Sequence, residues 1–227
     1  MSEEVKTSDV IQVSEKYFQL MDKILQHFAG DLFKEEVRLA KSEFFDNAGI
    51  LDEHSDHFEL RMSQFFDWYF FTRELRGFAQ TPLEAVFMAR ELRFAPDENR
   101  LIEKMKQHRH SIFQFIKLKD NHITIKDLIK NEKIVVKEAP WTFGFDSDEY
   151  FEARLIPHED SWIFTRGFCF HPADARKYIL SEIKRHKKDP DLDPEEMMLK
   201  LVKMRYKFER YRHVKIDMIY SNESRLG

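Results

Sequence analysis

From residue 8 to 110 the apolar positions recur every three or four residues, the period of helices buried along one side. Val10, Val13, Tyr17, Leu20, Ile24 and the neighbours His27 and Phe28 form one stripe of a first helix. Ser8 is placed to cap it, and Gly30 suits a left-handed position after its last turn. A second helix, capped by Asp31, carries Leu32, Val37, Ala40, Phe44 and Phe45 before a break at Asn47 and Gly49. A third begins near Ser55 and Asp56 and contains FFDWYFF (65–71). Those aromatics point almost all round the axis, which predicts a helix buried on most sides. Phe66, Trp68, Tyr69 and Phe70 are therefore expected in the main core. Thr81-Pro82-Leu83-Glu84 reads as a capping box with proline at the first helical position. A fifth helix is expected from about 97 to 108.

The period then shortens to two. Segments 111–118, 122–127, 133–139, 150–156 and 161–170 are rich in β-branched and aromatic residues. Lys119-Asp120-Asn121 and His158-Glu159-Asp160 sit where hairpin turns belong. Five antiparallel strands in so short a stretch predict a curled sheet or a small, partly open barrel. In the last strand Trp162, Phe164, Phe168 and Phe170 fall on one face, and Ile163, Thr165, Gly167 and Cys169 on the other. Helical periodicity returns over 172–219: one helix over 172–188, an acidic hinge DPDLDP (189–194), and another helix started by Asp193-Pro194-Glu195-Glu196. The expected fold class is α+β. Its three parts are a helical N-terminal domain (1–110), a five-stranded antiparallel β unit (111–171) and a C-terminal helical pair (172–227) packed on, or extending from, the body.

The last helix is the main candidate for an interaction surface. Met197, Leu201, Met204, Phe208 and Tyr211 recur at 4-3-4-3 spacing, the seam of a coiled-coil-like contact. Lys200, Lys203, Lys207 and Arg210 follow at 3-4-3 on the flank beside it. Charge sharpens this picture. Residues 173–215 hold 13 Lys or Arg against 8 Asp or Glu, an excess of +5, which leaves −9 on the remainder of a chain of net charge −4. Such a helix can pack on its own chain with solvated lysines, bind a protein partner or a second copy, or track a phosphate backbone.

Several chemistries are excluded. The six glycines lie at least 19 residues apart, so no glycine-rich loop can bring backbone N–H groups onto a nucleotide phosphate. Cys169 is the only cysteine, which removes disulfide scaffolds and zinc sites with two or more thiolates. The start MSEEVKTSDV lacks a basic stretch followed by an apolar one, and no apolar run reaches the ~18–20 residues of a membrane span. A cytoplasmic protein without a membrane span is expected.

Four groupings could carry chemistry. Asp52, Glu53, His54, Asp56 and His57 concentrate imidazole and carboxylate at a loop-to-helix junction, where Ser55 or Asp56 is also expected as a cap. Cys169 and His171 share a strand face, but no third group is placed to orient them, and a buried cysteine acting as a small hydrophobe is the simpler reading. His108 and His110 mark a helix C-terminus, where a structural cap is expected. Glu149 and Glu152 receive no role. No catalytic residue, metal ligand or cofactor is assigned.

The run FFDWYFFTRELRGFAQTPLEAVF (65–87) resembles the "F-x-x-W … G-x-T-P-L-E-x-F" segment of a group of uncharacterised bacterial proteins. TIKDLIKNEKIVVKEA with DEYFEARLIP (124–157) is similar to the β-region of the same group. Members often carry a C-terminal SEC-C motif, a cysteine-rich zinc module. This chain lacks those cysteines, so the resemblance implies no zinc; it implies a shared fold and a cytoplasmic bacterial origin, and no reaction. The leading expectation is a non-catalytic binding or adaptor protein acting through protein–protein contacts. The alternatives are a nucleic-acid-binding module using the β unit and the basic helices, and a metal-dependent enzyme using residues 52–57.

Overall fold

The computed structural model describes residues 2–137, 149–189 and 191–222, with side chains from residue 13 onward. Five helices come first: α1 (Ser2–Phe28), α2 (Lys34–Ala48), α3 (Phe58–Phe71), α4 (Pro82–Ala85) and α5 (Pro96–Met105). Among the described residues six strands follow: β1 (Arg109–Lys119), β2 (His122–Asp127), β3 (Glu132–Val136), β4 (Tyr150–His158), β5 (Ser161–Phe164) and β6 (Cys169–His171). The chain then returns to helix with α6 (Arg176–Lys188), α7 (Pro194–Arg210) and the short α8 (Ile216–Ile219). The fold is α+β, with helices before and after a curled antiparallel sheet.

The sheet runs β3-β2-β1-β4-β5, every pairing antiparallel, and β6 pairs with the first residues of β4. Its hairpins turn where polar residues can adopt positive φ, at Asp120, Asn121 and Glu159. The two edges approach each other. The Lys137 backbone N–H donates to Ser161 Oγ at 2.9 Å, and the Lys137 ammonium pairs with Asp160, so β3 and the β4–β5 turn close towards a half-barrel.

Alternation along the strands sorts the core into layers. Phe113, Phe115, Ile123, Ile125, Phe151 and Phe164 pack together on one face, with Trp162, Phe168 and Phe170 against them. From the other face Ile156, Ile163 and Cys169 enter the main core, built chiefly from α1, α2 and α3. Trp68, Tyr69 and Phe70 are buried there, whereas Phe66 is half-buried at its edge. A third cluster joins α6, α7 and α8 to Ile112 and Tyr150. α7 serves two layers at once, sending Val202 into the main core and Met197, Leu201 and Met204 into the third.

Several elements differ from the sequence reading. α1 starts at Ser2, upstream of Ser8; the side chains of Ser8 and Val10 lie outside the described residues. Gly30 is extended (φ −75°, ψ −173°), not left-handed. It is required for close approach instead, since a Cβ there would meet Gln26 O at 2.8 Å. Asp31 does not cap α2. Residues Asp31–Phe33 form a 3-10 turn that carries Phe33 against His27 and Phe28 and leaves Leu32 84% exposed. The capping box at Thr81 and Glu84 forms in full, yet α4 is one turn long before tightening to 3-10 geometry. α5 begins at Pro96, where Glu98 accepts the Ala95 N–H at 2.7 Å, and stops at Met105. The strand expected over 161–170 is split: Thr165 still gives its N–H to the Arg154 carbonyl at 3.0 Å, but its hydroxyl and the Gly167 N–H turn to Asp67 of α3 before pairing with β4 resumes at Cys169. The end of the strand expected over 133–139 lies outside the described residues.

Candidate functional site

That departure of the chain exposes the most unusual chemistry in the molecule. Asp67, in the aromatic stretch of α3, is buried and accepts from Thr165 Oγ1 at 2.5 Å and from the Gly167 N–H at 2.9 Å. Burial raises its pKa against the lowering effect of these bonds and of Arg154. Gly167 is there because nothing larger fits: a Cβ would lie 2.7 Å from Asp67 Oδ2 and 3.1 Å from its Cγ. Gly167→Ala is expected to push the carboxylate off its donors and destabilise the fold by about 1–3 kcal/mol, read from the urea midpoint. An unchanged midpoint would show that the approach is not tight.

Next to Asp67 the β1–β4 register sets His110 directly opposite Arg154, and the period of two brings Glu152 to the same face. α7 completes the group. Asp193 caps it by accepting from Glu195 N–H at 2.9 Å, and the Glu195 side chain, freed from any return to the cap, points to the sheet. His110 Nδ1 lies 2.7 Å from Glu195 Oε1, and Nε2 lies 3.0 Å from Glu152 Oε1. Arg154, 2% exposed, donates from Nη2 to Thr72 Oγ1 at 2.5 Å and to Glu195 Oε2 at 3.3 Å, with its guanidinium over the Phe71 ring. Thr72 Oγ1 in turn donates to Glu195 at 3.2 Å.

Electrostatics follow from this packing. Burial and Arg154 oppose a charge on His110, but Glu195 and Glu152 outweigh them and raise its pKa. Both ring nitrogens can then donate, one to each carboxylate. Burial alone would raise the pKa of Glu195, yet His110 and Arg154 hold it well below the ordinary carboxylate range. A cavity of about 20 Å³, room for a single water, lies among Asp67, Trp68, His110, Glu152 and Arg154. Glu152 Oε2 and Arg154 Nη1, both buried, have no hydrogen-bond partner among the described residues. The assembly is a charged clasp between α3, the sheet and α7. Both nitrogens of His110 are engaged, and Thr72 Oγ1 is held between Arg154 and Glu195.

Above the clasp is an open groove of about 780 Å³ between α2, α3 and α7, which shares Trp68 and Leu199 as wall with the small cavity and has Thr72 and Glu195 along it. Arg73 on its rim is spent on Glu36 and Glu43, Lys200 on Glu182, and Lys203 on the Asp46 carbonyl. Glu74 and Glu196 line it without an ion pair among the described residues.

The residues singled out from sequence are distributed as follows. The seam Met197, Leu201 and Met204 is buried on its own chain, with Phe208 and Tyr211 half-buried beside it. Lys200, Lys203 and Lys207 are half-exposed and Arg210 is exposed, along the outward stripe of α7. His54 is exposed, and His57 Nε2 is 3.6 Å from Glu209 Oε1. Among the described residues no three His, Cys, Asp or Glu side chains are grouped to hold a metal ion. Cys169 is buried, and burial with Glu152 nearby pushes its thiol pKa up, the reverse of nucleophile activation. His171 turns Nδ1 to Tyr220 Oη at 3.1 Å. His108 Nδ1 meets the Met105 carbonyl at 3.1 Å, closing the end of α5, whereas His110 is no cap but the centre of the clasp. Glu152, given no role from sequence, belongs to the clasp as well. A polar residue every second position, 152 and 154, in a strand otherwise buried was the available signal.

Two of these histidines predict a pH response. Burial, aided by Arg154 for His108 and by Arg205 for His171, lowers each to about 3. An unfolded histidine titrates near 6.5, so as the pH falls below that value the unfolded chain takes up protons that the folded chain refuses. Each contributes a loss of about 1.4 kcal/mol per pH unit between roughly pH 6 and 3. His110, with its raised value, acts on the other side. Its stabilisation is complete below 6.5 and is lost as the pH rises through the folded value. Urea midpoints are expected to be lower at pH 5 than at pH 7, and His171→Phe should flatten that difference. Equal midpoints in the unsubstituted protein would refute the assignment.

Fold and site together define an α+β protein, a curled antiparallel sheet clasped by helices through a buried ionic network. The chain belongs to a family of unknown function, DUF7986, which matches residues 11–219. No curated protein and no solved structure matches it.

Proposed function

We propose that this chain is a non-catalytic cytoplasmic binding protein that takes a basic segment of a partner protein into the groove between α2, α3 and α7. One observation carries the reading: on the groove rim Arg73 and Lys200 are paired with carboxylates and Lys203 is held on the Asp46 carbonyl, while Glu74 and Glu196 have no ion pair among the described residues. A groove of about 780 Å³ accommodates several side chains, and acidic rims steer and orient cationic partners. The His110 ring is engaged through both nitrogens, which supports binding over catalysis by that imidazole, because a general base must be free to accept a proton.

A Lys/Arg-rich peptide and its Glu-substituted counterpart, titrated by calorimetry at low and physiological salt, test this. The basic peptide is expected to bind with salt-sensitive affinity, and Glu74→Lys/Glu196→Lys should weaken it more than tenfold. The exposed stripe ending at Arg210 supports a second reading, a phosphate-tracking surface. RNA or DNA binding that is steep in salt, survives the Glu74/Glu196 change and is lost on Lys200/Lys203/Lys207→Glu would overturn the protein-partner proposal in its favour.

A further inference from the structure

A separate cavity of about 220 Å³ lies between the start of α3, β6 and the second half of α7. Arg61 forms one wall and is 5% exposed. Its guanidinium sits between the rings of Phe45 and Tyr206, 5.3 and 5.0 Å from their centroids. It donates only to neutral acceptors: the Ala48 carbonyl at 2.8 Å, the Gly49 carbonyl at 2.6 Å and Gln64 Oε1 at 2.9 Å. Its Nε has no partner, and no carboxylate is paired with it among the described residues. A cation held out of water without a counter-ion is costly, and removing burial from the balance by pairing is the usual remedy. Burial lowers the Arg61 pKa, as expected for a cation in that position.

The remaining walls narrow the chemistry. Arg205 gives Nε to the Phe170 carbonyl at 2.6 Å and Nη1 to Glu209 at 2.8 Å, so Glu209 offsets one of the two guanidinium charges. With the His57 imidazole neutral, the lining therefore carries a formal excess of one positive charge, Arg61 and Arg205 against Glu209. Leu60, Phe170 and Val202 add an apolar side. A cavity of ~150 Å³ lined by apolar residues is known to hold a benzene ring, so 220 Å³ admits a ring or short chain with one charged group.

We propose that this cavity binds a small organic monocarboxylate, its carboxylate on Arg61 and its apolar part against Leu60, Phe170 and Val202. A single negative charge balances the lone cation. A dianion would meet Glu209, and an uncharged ligand would leave Arg61 as it stands.

The test uses the full chain with benzoate and butyrate as probes, benzamide and butyramide as their uncharged counterparts, and inorganic phosphate. Thermal unfolding and calorimetry are expected to give saturable binding of at least one carboxylate, with its amide and phosphate more than tenfold weaker. Arg61→Met should abolish the binding. Because that change also removes the donors to Ala48 and Gly49, Leu60→Trp provides a second variant, which fills the cavity from the surface side and should abolish binding with the circular dichroism spectrum unchanged. Absence of saturable binding by either carboxylate, equal binding of acid and amide, phosphate binding as tight as benzoate, or carboxylate binding unaffected by Leu60→Trp would each overturn the proposal.

Discussion

Arg154→Ala is expected to lower the unfolding free energy by about 3–5 kcal/mol, the cost of leaving a buried charge without its partner. Arg154 is almost wholly buried, lies beside the Asp67 carboxylate and shares Glu195 with His110 and Thr72. Removing it leaves Glu195, Glu152 and Asp67 with only the His110 imidazolium to answer three acidic groups. It also strips the guanidinium from the Phe71 ring. The double change Arg154→Met/Glu195→Met removes charge from both sides and should recover more than half of the loss, since well-packed apolar pairs often replace buried ion pairs without penalty. Urea unfolding at pH 7, followed by tryptophan fluorescence, measures both. A loss below about 1 kcal/mol for the single change, the scale of a surface pair, would mean that the clasp does not hold α7 to the sheet.

Phe70→Ala should be comparably severe, at about 3–5 kcal/mol, because a fully buried ring leaves a cavity that its neighbours cannot fill. Phe70 is 0% exposed and in edge contact with Phe71, whose ring also meets His108. Phe66 in the same helix is the control. It is half-buried at the edge of the main core, and its loss should cost about 1–1.5 kcal/mol, roughly half the transfer free energy of the ring. Equal costs for the two would contradict the layered core. A large cost at Phe66 and a small one at Phe70 would place the helix the other way round.

The outcome for α3 shows what periodicity can and cannot say. Aromatics all round an axis announce burial, and Trp68, Tyr69 and Phe70 are buried. The same pattern is silent on Asp67 in their midst, whose partners Thr165 and Gly167 lie about a hundred residues away. No local signal could have paired them. The same holds for the broken last strand. Its faces were legible, with Phe164, Phe168 and Phe170 together in one layer and Ile163 and Cys169 in another. Its interruption was not, since the cause is a carboxylate on a distant helix.

α7 draws the boundary most clearly. Its start follows from Asp193 and Pro194, its apolar seam from 4-3-4-3 spacing, and its basic stripe from the flank of that seam. All three depend only on residues within a few turns, and local sequence suffices for them. Val202 and Glu195 lie off the seam, and the helix period assigns them no partner. Their roles, one in the main core and one in the clasp, exist because β1 and β4 set His110 opposite Arg154 at the height where α7 begins. By itself, then, the sequence determined the α+β class, the hairpin turns, the helix starts with strong caps and the absence of glycine-rich and multi-thiolate sites. Only the tertiary structure decided which charges meet. Ionic pairing depends on distance and burial, and both are set by segments far apart along the chain.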